Sequence, residues 1–375
     1  MTEDRQYIQG LDEYIRQGEP QEQERGRAWQ TAIGLQEVDG LKTSPYLLET
    51  ARRHIEGDIT ISEAKQLIDS YYKSLTGRKE IEEERTEEAD KVSARITELL
   101  QEQTFNFSPA QLTSIHRRLF EGIYKFAGLI RDYNITKREW VLRGETVFYA
   151  SADTISETLK YDMEQERNYS YEGKSIDEAI SHLTRFCANL WQIHAFGEGN
   201  TRGMAVFMIK YLQTLGFKTT NDLFATNSWY FRNALVRANY SNLQEGITET
   251  TVFLERFFRN MLLGETTPLR NREMHLDWKG ETENQRAKIE SKNEEGTVQR
   301  EKSALPLPQK CKNCTLEEIA VLRIIQQEPS AKQTFIAQEI KKSERTVKTI
   351  TARLTEKGII KRSKGKGSDW VMIYD

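Results

Sequence analysis

A ten-residue segment from His194 to Gly203 combines side chains that are suited to phosphate chemistry. His194 offers an imidazole that can take up a proton, Glu198 a carboxylate that can bind a divalent cation, and Arg202 a guanidinium that can bind phosphate. Asn200 adds an amide donor. A base, a metal ligand and phosphate-binding groups within nine residues suit the chemistry of a magnesium nucleotide.

Two amphipathic helices are predicted to position this segment. The spacing of apolar residues predicts one helix that ends near Ile193 and a second that begins near Asn200 or Thr201, with a glycine-rich loop between them. Such a loop presents backbone N–H groups at the positive end of a helix dipole, which is an arrangement that binds anions. The apolar positions are Leu183, Phe186, Cys187, Leu190 and Trp191 before the loop, and Val206, Phe207, Ile209, Tyr211, Leu212 and Leu215 after it.

The composition indicates a folded, mainly helical protein with a very polar surface. Of 375 residues, 37% are hydrophobic and 30% are charged, which excludes a wholly disordered chain. No apolar run approaches the length of about 18 residues that a membrane span needs. Seven prolines and long runs of helix-forming residues favour helices. Three cysteines exclude a disulfide framework, and the start of the chain lacks the apolar segment of a secretory signal, so we expect a cytoplasmic location.

The central segment resembles the signature of the Fic (filamentation induced by cAMP) family, His-x-Phe-x-(Asp/Glu)-Gly-Asn-Gly-Arg-x-x-Arg. The positions that match are His194, Phe196, Glu198, Gly199, Asn200 and Arg202. Four further segments agree with the family in order and spacing, and together they extend the resemblance over roughly residues 85–265. The segments that look like an early helix, its continuation, a β-hairpin flap that docks the target and a closing helix are residues 112–128, 131–136, 144–150 and 238–240.

The resemblance implies transfer of AMP from ATP to a Ser, Thr or Tyr hydroxyl of a target protein. By this resemblance His194 would take the hydroxyl proton, and Glu198 would hold the Mg²⁺ that bridges the phosphates. Asn200 and the Gly199 backbone would contact the α-phosphate, and Arg202 would bind the leaving phosphates. With Phe196 packed inward to set the loop, the implied nucleotide-binding residues are Phe196, Gly197, Glu198, Gly199, Asn200, Thr201 and Arg202.

Two positions depart from the signature. Thr201 stands at the place of the second glycine, where it is expected to cap the following helix. Ala205 stands at the place of the second arginine, which in the family contacts the terminal phosphate. The loss of that charge-assisted contact, worth about 1.5–3 kcal/mol, leaves two alternatives open. One is a Fic enzyme with a different nucleotide donor, and the other is a nucleotide-binding or catalytically degenerate protein that acts as a DNA-binding regulator or scaffold.

The expected fold class is mainly α, with a Fic-type helical core, a small β-hairpin flap and a C-terminal winged helix-turn-helix. Changes in composition divide the chain into an N-terminal helical region, the Fic core, a polar linker and the winged helix. The predicted boundaries of these four regions are residues 1–80, 81–265, 266–310 and 311–375.

The N-terminal region resembles the antitoxin-type helical domain that inhibits many Fic proteins. Inhibition there uses a Ser/Thr-x-x-x-Glu-Gly/Asn motif, whose Glu pairs with the second arginine of the signature. Asp39-Gly40 lies in the expected place, but Leu35 stands where Ser or Thr belongs, and Ala205 removes the pairing partner. The sequence therefore does not predict that pair, and both inhibition by residues 1–80 and simple docking on the core stay open.

The C-terminal region resembles a winged helix-turn-helix. Periodicity predicts helices over residues 317–327 and 334–340, a third helix capped by Ser343, and a hairpin of residues 359–362 and 370–373. From Lys341 to Lys366 ten Lys and Arg residues stand against two acids, a local net charge of +8 that could bind DNA phosphates. Protein docking or dimerisation is the alternative. The third-helix residues assigned to a major groove are Lys341, Lys342, Arg345, Lys348 and Arg353.

The remaining candidates receive structural roles. Cys311 and Cys314 form a C-x-x-C pair that lacks the two further ligands of a zinc site, and we expect an exposed pair in the linker. His116, in the early helix, is expected to be structural. The partners expected are ATP, a target protein and DNA through residues 341–366, without a membrane, and self-association stays open.

Overall fold

The computed structural model describes residues 11–75, 81–217, 222–278, 307–308, 311, 314–363 and 369–374. In this part of the chain helices predominate and the strands form one small antiparallel sheet, so the predicted mainly α fold is confirmed. The helices are α1 (Pro20–Gly34), α2 (Pro45–Glu56), α3 (Ile61–Ser74), α4 (Ile81–Gln101), α5 (Pro109–Phe120), α6 (Ile155–Asn168), α7 (Ile176–Ile193), α8 (Asn200–Thr214), α9 (Asp222–Ala238), α10 (Val252–Leu263), α11 (Leu316–Gln327), α12 (Gln333–Glu339) and α13 (Glu344–Glu356). The strands are β1 (Ile360–Arg362) and β2 (Trp370–Met372).

Local capping determines where many of these helices begin. Thr60, Ser175 and Thr315 each accept a hydrogen bond from the backbone N–H three residues on, and a Glu at that third position bonds back to the cap. Ser44 and Ser108 cap α2 and α5 in the same way without the reciprocal Glu. Such a cap contributes about 1 kcal/mol, so the boundaries follow from short-range sequence.

The N-terminal helices are fixed to the rest of the molecule through α4. Asp90 of α4 accepts hydrogen bonds from the Ser44 hydroxyl at 2.5 Å and from the Tyr72 hydroxyl at 2.7 Å, which ties α2 and α3 to α4. Helix α1 packs against both α4 and α9, and at Gly34 an added Cβ would lie 2.3 Å from the backbone of Ala225. The close approach of α1 to α9 therefore requires a glycine at this position.

The central core is built around α7 and α8, whose apolar faces are buried as the sequence predicts. Helix α5 packs on α8, and α10 and α6 pack on α7. The two central helices meet at residues 194–199, which we call the 194–199 loop. This arrangement places the loop at one end of the core.

The winged helix-turn-helix is confirmed in its described residues, with two corrections. Ser343 caps α13 by accepting a hydrogen bond from the N–H of Thr346 at 3.1 Å, and β1 pairs antiparallel with β2. However, Lys341 and Lys342 belong to the turn before α13 and not to the third helix, because Lys341 adopts a left-handed φ of 52° that ends α12. Residues 364–366, part of the predicted basic patch, lie outside the described residues.

The winged helix packs directly on the core. The N–H of Ile176, at the start of α7, donates to the carbonyl of Cys314 at 3.0 Å. Cys311 and Cys314 are both buried, so the expectation of an exposed pair is wrong. They lie in the joint between α11 and the core, where apolar side chains from both sides cover them.

Part of the predicted linker also packs on the core. Met274 is buried, and the N–H of Leu276 donates to the carbonyl of Val141 at 3.0 Å. Residues 279–306 lie outside the described residues, and the four domain boundaries stay predictions. Among the helices that the structure describes, none has the length and the apolar character that crossing a bilayer requires.

Candidate active site

The 194–199 loop begins and ends with left-handed residues. Helix α7 ends at Ile193 and α8 begins at Asn200, as the sequence predicts. His194 terminates α7 with a φ of 48°, and Gly199 stands at the N-cap of α8 with a φ of 73°. A positive φ is uncommon for a histidine, and such residues are concentrated at functional sites.

Close packing makes glycine necessary within the loop. A Cβ added to Gly199 would lie 2.4 Å from ring atoms of Phe120, and one added to Gly197 would lie 2.6 Å from the hydroxyl of Tyr133. The aromatic side chains of α5 and of the segment after it therefore press against the loop backbone. Neither glycine can be replaced without moving these rings.

Arg131 fastens the loop to the neighbouring segments. Its guanidinium donates to the carbonyls of His194 at 2.8 Å, Ala150 at 2.5 Å and Tyr133 at 2.6 Å, and its backbone N–H donates to Ala195 at 2.9 Å. Burial lowers the pKa of Arg131. Because its donors are used by carbonyl groups, this arginine stabilises the loop and is not positioned to bind a phosphate.

The imidazole of His194 is covered and neutral. The residue is 4% exposed, the ring of Tyr149 lies 4.2 Å from it between centroids, and Trp191 meets it edge-on at 5.2 Å. Both ring nitrogens lack a hydrogen-bond partner among the described residues. Burial, and next the charge of Lys137, lower the pKa of His194 well below its ordinary value. The neutral ring has nitrogen atoms that can accept a proton from a target hydroxyl, while its lowered pKa makes it a weaker base than an exposed histidine.

Glu198 carries the exposed carboxylate of the loop. Its side chain is 54% exposed, and Oε2 lies 2.8 Å from the Nζ atom of Lys137. An exposed pair of this kind contributes only about 0–1 kcal/mol, so a divalent cation can compete for the carboxylate. Among the described residues no group of three His, Cys, Asp or Glu side chains could hold a metal ion. A single carboxylate fits Mg²⁺, which typically takes its other ligands from substrate phosphates and water.

His116 supports the loop from α5. Its Nδ1 accepts a hydrogen bond from the N–H of Gly128 at 2.9 Å, so its Nε2 carries the proton and donates to the carbonyl of Glu198 at 2.9 Å. Burial lowers the pKa of His116 to about 4. A neutral imidazole whose two nitrogen atoms are both hydrogen-bonded agrees with the structural role expected for this residue.

Three of the proposed nucleotide-binding residues hold the loop together in this structure. The Asn200 amide accepts from the N–H of Phe196 at 2.9 Å and donates to its carbonyl at 2.6 Å, and the ring of Phe196 stacks on His116 at 3.7 Å. Thr201 does not cap α8, because Gly199 occupies the cap position, and its hydroxyl accepts from the indole of Trp191 at 3.0 Å. The N–H groups in the first turn of α8 have no partner within the helix, so they can donate hydrogen bonds to an anion.

Arg202 is held by Glu88, which the sequence did not indicate, and by Asp39, which the sequence located without identifying its partner. It is 1% exposed, with Nη2 2.6 Å from Glu88 and Nε 2.7 Å from Asp39, the latter an ion pair that is not aligned for a hydrogen bond. Nη1 donates to Gln36 at 3.0 Å, and the guanidinium lies 4.8 Å from the ring of Phe120. Burial acts to lower the pKa of Arg202, but the charges of Asp39 and Glu88 outweigh it and raise the pKa above its ordinary value.

The position of the second signature arginine is apolar and closed. Ala205 is fully buried within the core cluster, so no cation approaches the loop from this turn of α8. Asp39 therefore pairs with Arg202, three residues earlier in the signature. The Asp39-Gly40 dipeptide was the feature of the sequence that indicated an acid in this place. Its partner Arg202 could not be identified, because the motif predicts a pair with the second arginine, which this chain lacks.

An open cleft of about 610 Å³ includes Lys137 in its lining, and the Nζ atom of Lys137 lies 2.8 Å from Glu198 of the 194–199 loop, which does not itself line the cleft. Residues 136–138, residues 144–146 and 148 of the flap (residues 144–150), and residues 240–244 line it, and Phe148 and Leu243 are 80% and 82% exposed. The flap folds back as predicted, with the N–H of Glu139 donating to Glu145 at 2.9 Å. It is not a strand pair in the described residues, because the hydroxyl of Thr146 replaces a ladder carbonyl as the acceptor from the N–H of Lys137.

The exposed face of α13 is basic. Arg345, Lys348 and Arg353 are exposed, while Val347 and Ile350 on the opposite side are buried. Lys348 makes one exposed ion pair with Glu344 at 3.0 Å. This face can approach an anionic surface without disturbing the core.

Comparison with protein families assigns both regions. Residues 106–212 match the model of the Fic/DOC family, and residues 314–368 match the model of the MarR family. No curated protein matches the chain.

Proposed function

We propose, from a chain that contains a Fic/DOC-family domain followed by a MarR-family winged-helix domain, that the protein transfers AMP from Mg-ATP to a hydroxyl side chain of a target protein. The observation that carries the proposal is the neutral imidazole of His194, whose ring nitrogens have no hydrogen-bond partner in the described part of the chain. The 194–199 loop connects this base to the N-terminus of α8, and helix N-termini stabilise phosphates.

In the proposed reaction the hydroxyl oxygen of the target attacks the α-phosphorus of ATP. The bond from this phosphorus to the bridging oxygen breaks, pyrophosphate leaves, and the hydroxyl proton passes to His194. N–H groups at the start of α8 stabilise the charge on the α-phosphate. Glu198 would hold Mg²⁺, which would supply positive charge to neutralise the phosphates. The target lies in the cleft beside the flap, where Phe148 and Leu243 offer apolar contacts.

Residues 1–80 are proposed to restrain this activity. Asp39 holds Arg202, which the reaction uses for the leaving phosphates, and Glu88 holds it from α4. Removing one partner of a buried ion pair costs several kcal/mol, so the release of Arg202 requires both a shift of the N-terminal region and the loss of its contact with Glu88. Tyr149 must also move from the His194 ring before a hydroxyl can reach it.

Incubation with Mg²⁺ and ATP labelled on the α-phosphate tests the transfer reaction. Self-modification or modification of a co-purifying protein should carry the α-label but not a γ-label. His194→Ala should reduce the incorporation by at least about 100-fold, because a positioned base contributes that much or more. His275→Ala, which removes a histidine outside the loop, is the matched control. Full incorporation by His194→Ala, or transfer of the γ-label, would contradict the proposal. Other labelled nucleotides in the same assay identify which nucleotide is the donor.

A second candidate function is a DNA-binding regulator or scaffold without transfer activity. Two observations favour it, namely the burial of Arg202 and the apolar setting of Ala205. An α-label that is never incorporated, together with salt-dependent binding of DNA, would support this candidate over the first. The cytoplasmic location and self-association stay proposals in either case.

A further inference from the structure

Three cationic side chains around the 194–199 loop are already engaged. Arg131 donates to carbonyl groups, and Arg202 is paired with two acids. Arg232 of α9 forms a bidentate pair with the buried Glu139, at 2.6 and 3.0 Å. Each of these arginines is buried or nearly so, and each would have to leave several partners to contact a nucleotide.

Lys137 differs from them in its exposure and in its partner. Its side chain is 25% exposed, and its one ion pair in the described residues is with the exposed carboxylate of Glu198. Its backbone is held opposite the flap by the hydroxyl of Thr146 at 3.2 Å. Its charge is felt at His194, where it is the second cause of the lowered pKa. The ammonium group therefore contacts the loop at Glu198, while the backbone of Lys137 is hydrogen-bonded to the flap.

A bound nucleotide would change the partner of Lys137. A metal ion at Glu198 would repel the ammonium group, since two cations cannot share one carboxylate oxygen without cost. A triphosphate offers several anionic oxygens within reach of the same side chain. Because the pair of Lys137 with Glu198 is half-exposed and weak, this exchange is easier than the release of Arg202.

We propose that Lys137 is a phosphate-binding residue of this site, and that it supplies the positive charge that Ala205 cannot. This inference rests on the proposed function, because it takes an adenine nucleotide as the ligand. Lys137 thus exchanges Glu198 for phosphate oxygens when a nucleotide binds.

Calorimetric binding to the full-length protein tests the inference without relying on turnover. The probes are adenosine 5′-(α,β-methylene)triphosphate, AMP and adenosine, each with Mg²⁺ and with EDTA. Lys137→Met should weaken binding of the triphosphate about 10- to 100-fold, which is the range for one charge-assisted contact. The loss should be smaller for AMP and absent for adenosine. Lys137→Arg should stay within about 3-fold of the wild type, because it keeps the charge.

Arg138→Met provides the matched control, since it removes a neighbouring, exposed positive charge that lines the same cleft. It should bind the triphosphate like the wild type. An equal loss of triphosphate affinity for Arg138→Met and Lys137→Met would overturn the inference, because the loss would then come from the overall electrostatic potential and not from a contact of Lys137. A loss that disappears in EDTA would also overturn it, since Lys137 would then act only through the metal at Glu198. If the wild type binds neither AMP nor the triphosphate, both the proposed function and this inference fail.

Discussion

The Nε atom of Arg202 lies 2.7 Å from Oδ2 of Asp39, and this ion pair joins the N-terminal region to the first turn of α8, which follows the 194–199 loop. The guanidinium is almost completely buried, while the Asp39 side chain is partly exposed at the edge of the contact. A partly exposed acid thus forms an ion pair with an arginine that solvent does not reach. Together with the hydrogen bond from Arg202 to Gln36, the pair links the first eighty residues directly to the residue proposed to bind the leaving phosphates.

Replacing Asp39 should separate stability from nucleotide binding. In Asp39→Asn the free energy of unfolding should fall by about 1–3 kcal/mol, because a buried cation loses a charged partner while Glu88 remains. Affinity for the ATP analogue should rise, since Arg202 is then easier to release. Chemical denaturation and calorimetry measure the two effects. Asp58→Asn, at an exposed position, should change neither. A variant that is less stable without binding tighter would show that the pair only stabilises the fold.

A pair of glycine substitutions should isolate the packing of the loop. Gly199 and Gly173 have nearly the same φ, 73° and 74°, but a Cβ would meet Phe120 at 2.4 Å in the first and open space in the second. Gly173→Ala should therefore cost about 1 kcal/mol of unfolding free energy, and Gly199→Ala about 3 kcal/mol or more. Denaturation curves give the difference. Equal costs would mean that the Phe120 ring moves away freely.

The burial of His116, which lowers its pKa, should make stability depend on pH. Its folded pKa of about 4 lies below the ordinary 6.5, so between these values the unfolded state binds more protons. The stability that this residue contributes is complete above pH 6.5 and declines as the pH falls toward 4, by up to about 3 kcal/mol. Unfolding at several pH values should show a shallower decline for His116→Gln than for the wild type. Parallel curves would show that His116 is protonated in the folded state.

The basic face of α13 should produce salt-dependent DNA binding. Arg345→Ala with Lys348→Ala removes two exposed charges, so the slope of log K against log salt should fall by about 2 in magnitude. Titrations of a labelled duplex at several salt concentrations measure this slope. Lys160→Ala, which removes an exposed charge from α6, is the control and should leave it unchanged. If the double variant keeps the wild-type slope, the winged helix does not contact DNA through this face.

Short-range patterns determined what the sequence could predict. The apolar spacing of α7 and α8, interrupted by Gly197 and Gly199, located the loop within a residue at each end. Ser343 marked the start of α13 because capping depends on only three neighbouring residues. These features needed no knowledge of the tertiary structure.

Contacts between segments that are far apart in the chain could not be predicted from the sequence. Glu88 is 114 residues from Arg202 in sequence, and neither residue type implies the other. Lys137 and Glu198 meet only because the flap returns beside the loop. Cys314 looked exposed in a polar stretch, yet the packing of α11 on the core buries it. Such pairs follow from how helices pack, which local spacing does not encode.

Helix α7 has a consequence for the reach of the molecule. It begins at Ile176, bonded to the winged helix through Cys314, and ends beside His194 after 18 residues. A straight helix of that length is a rod of about 27 Å. The winged helix and the imidazole are therefore joined through one continuous helix, so a movement of the winged helix that carries Ile176 with it would also displace the end of α7 beside His194.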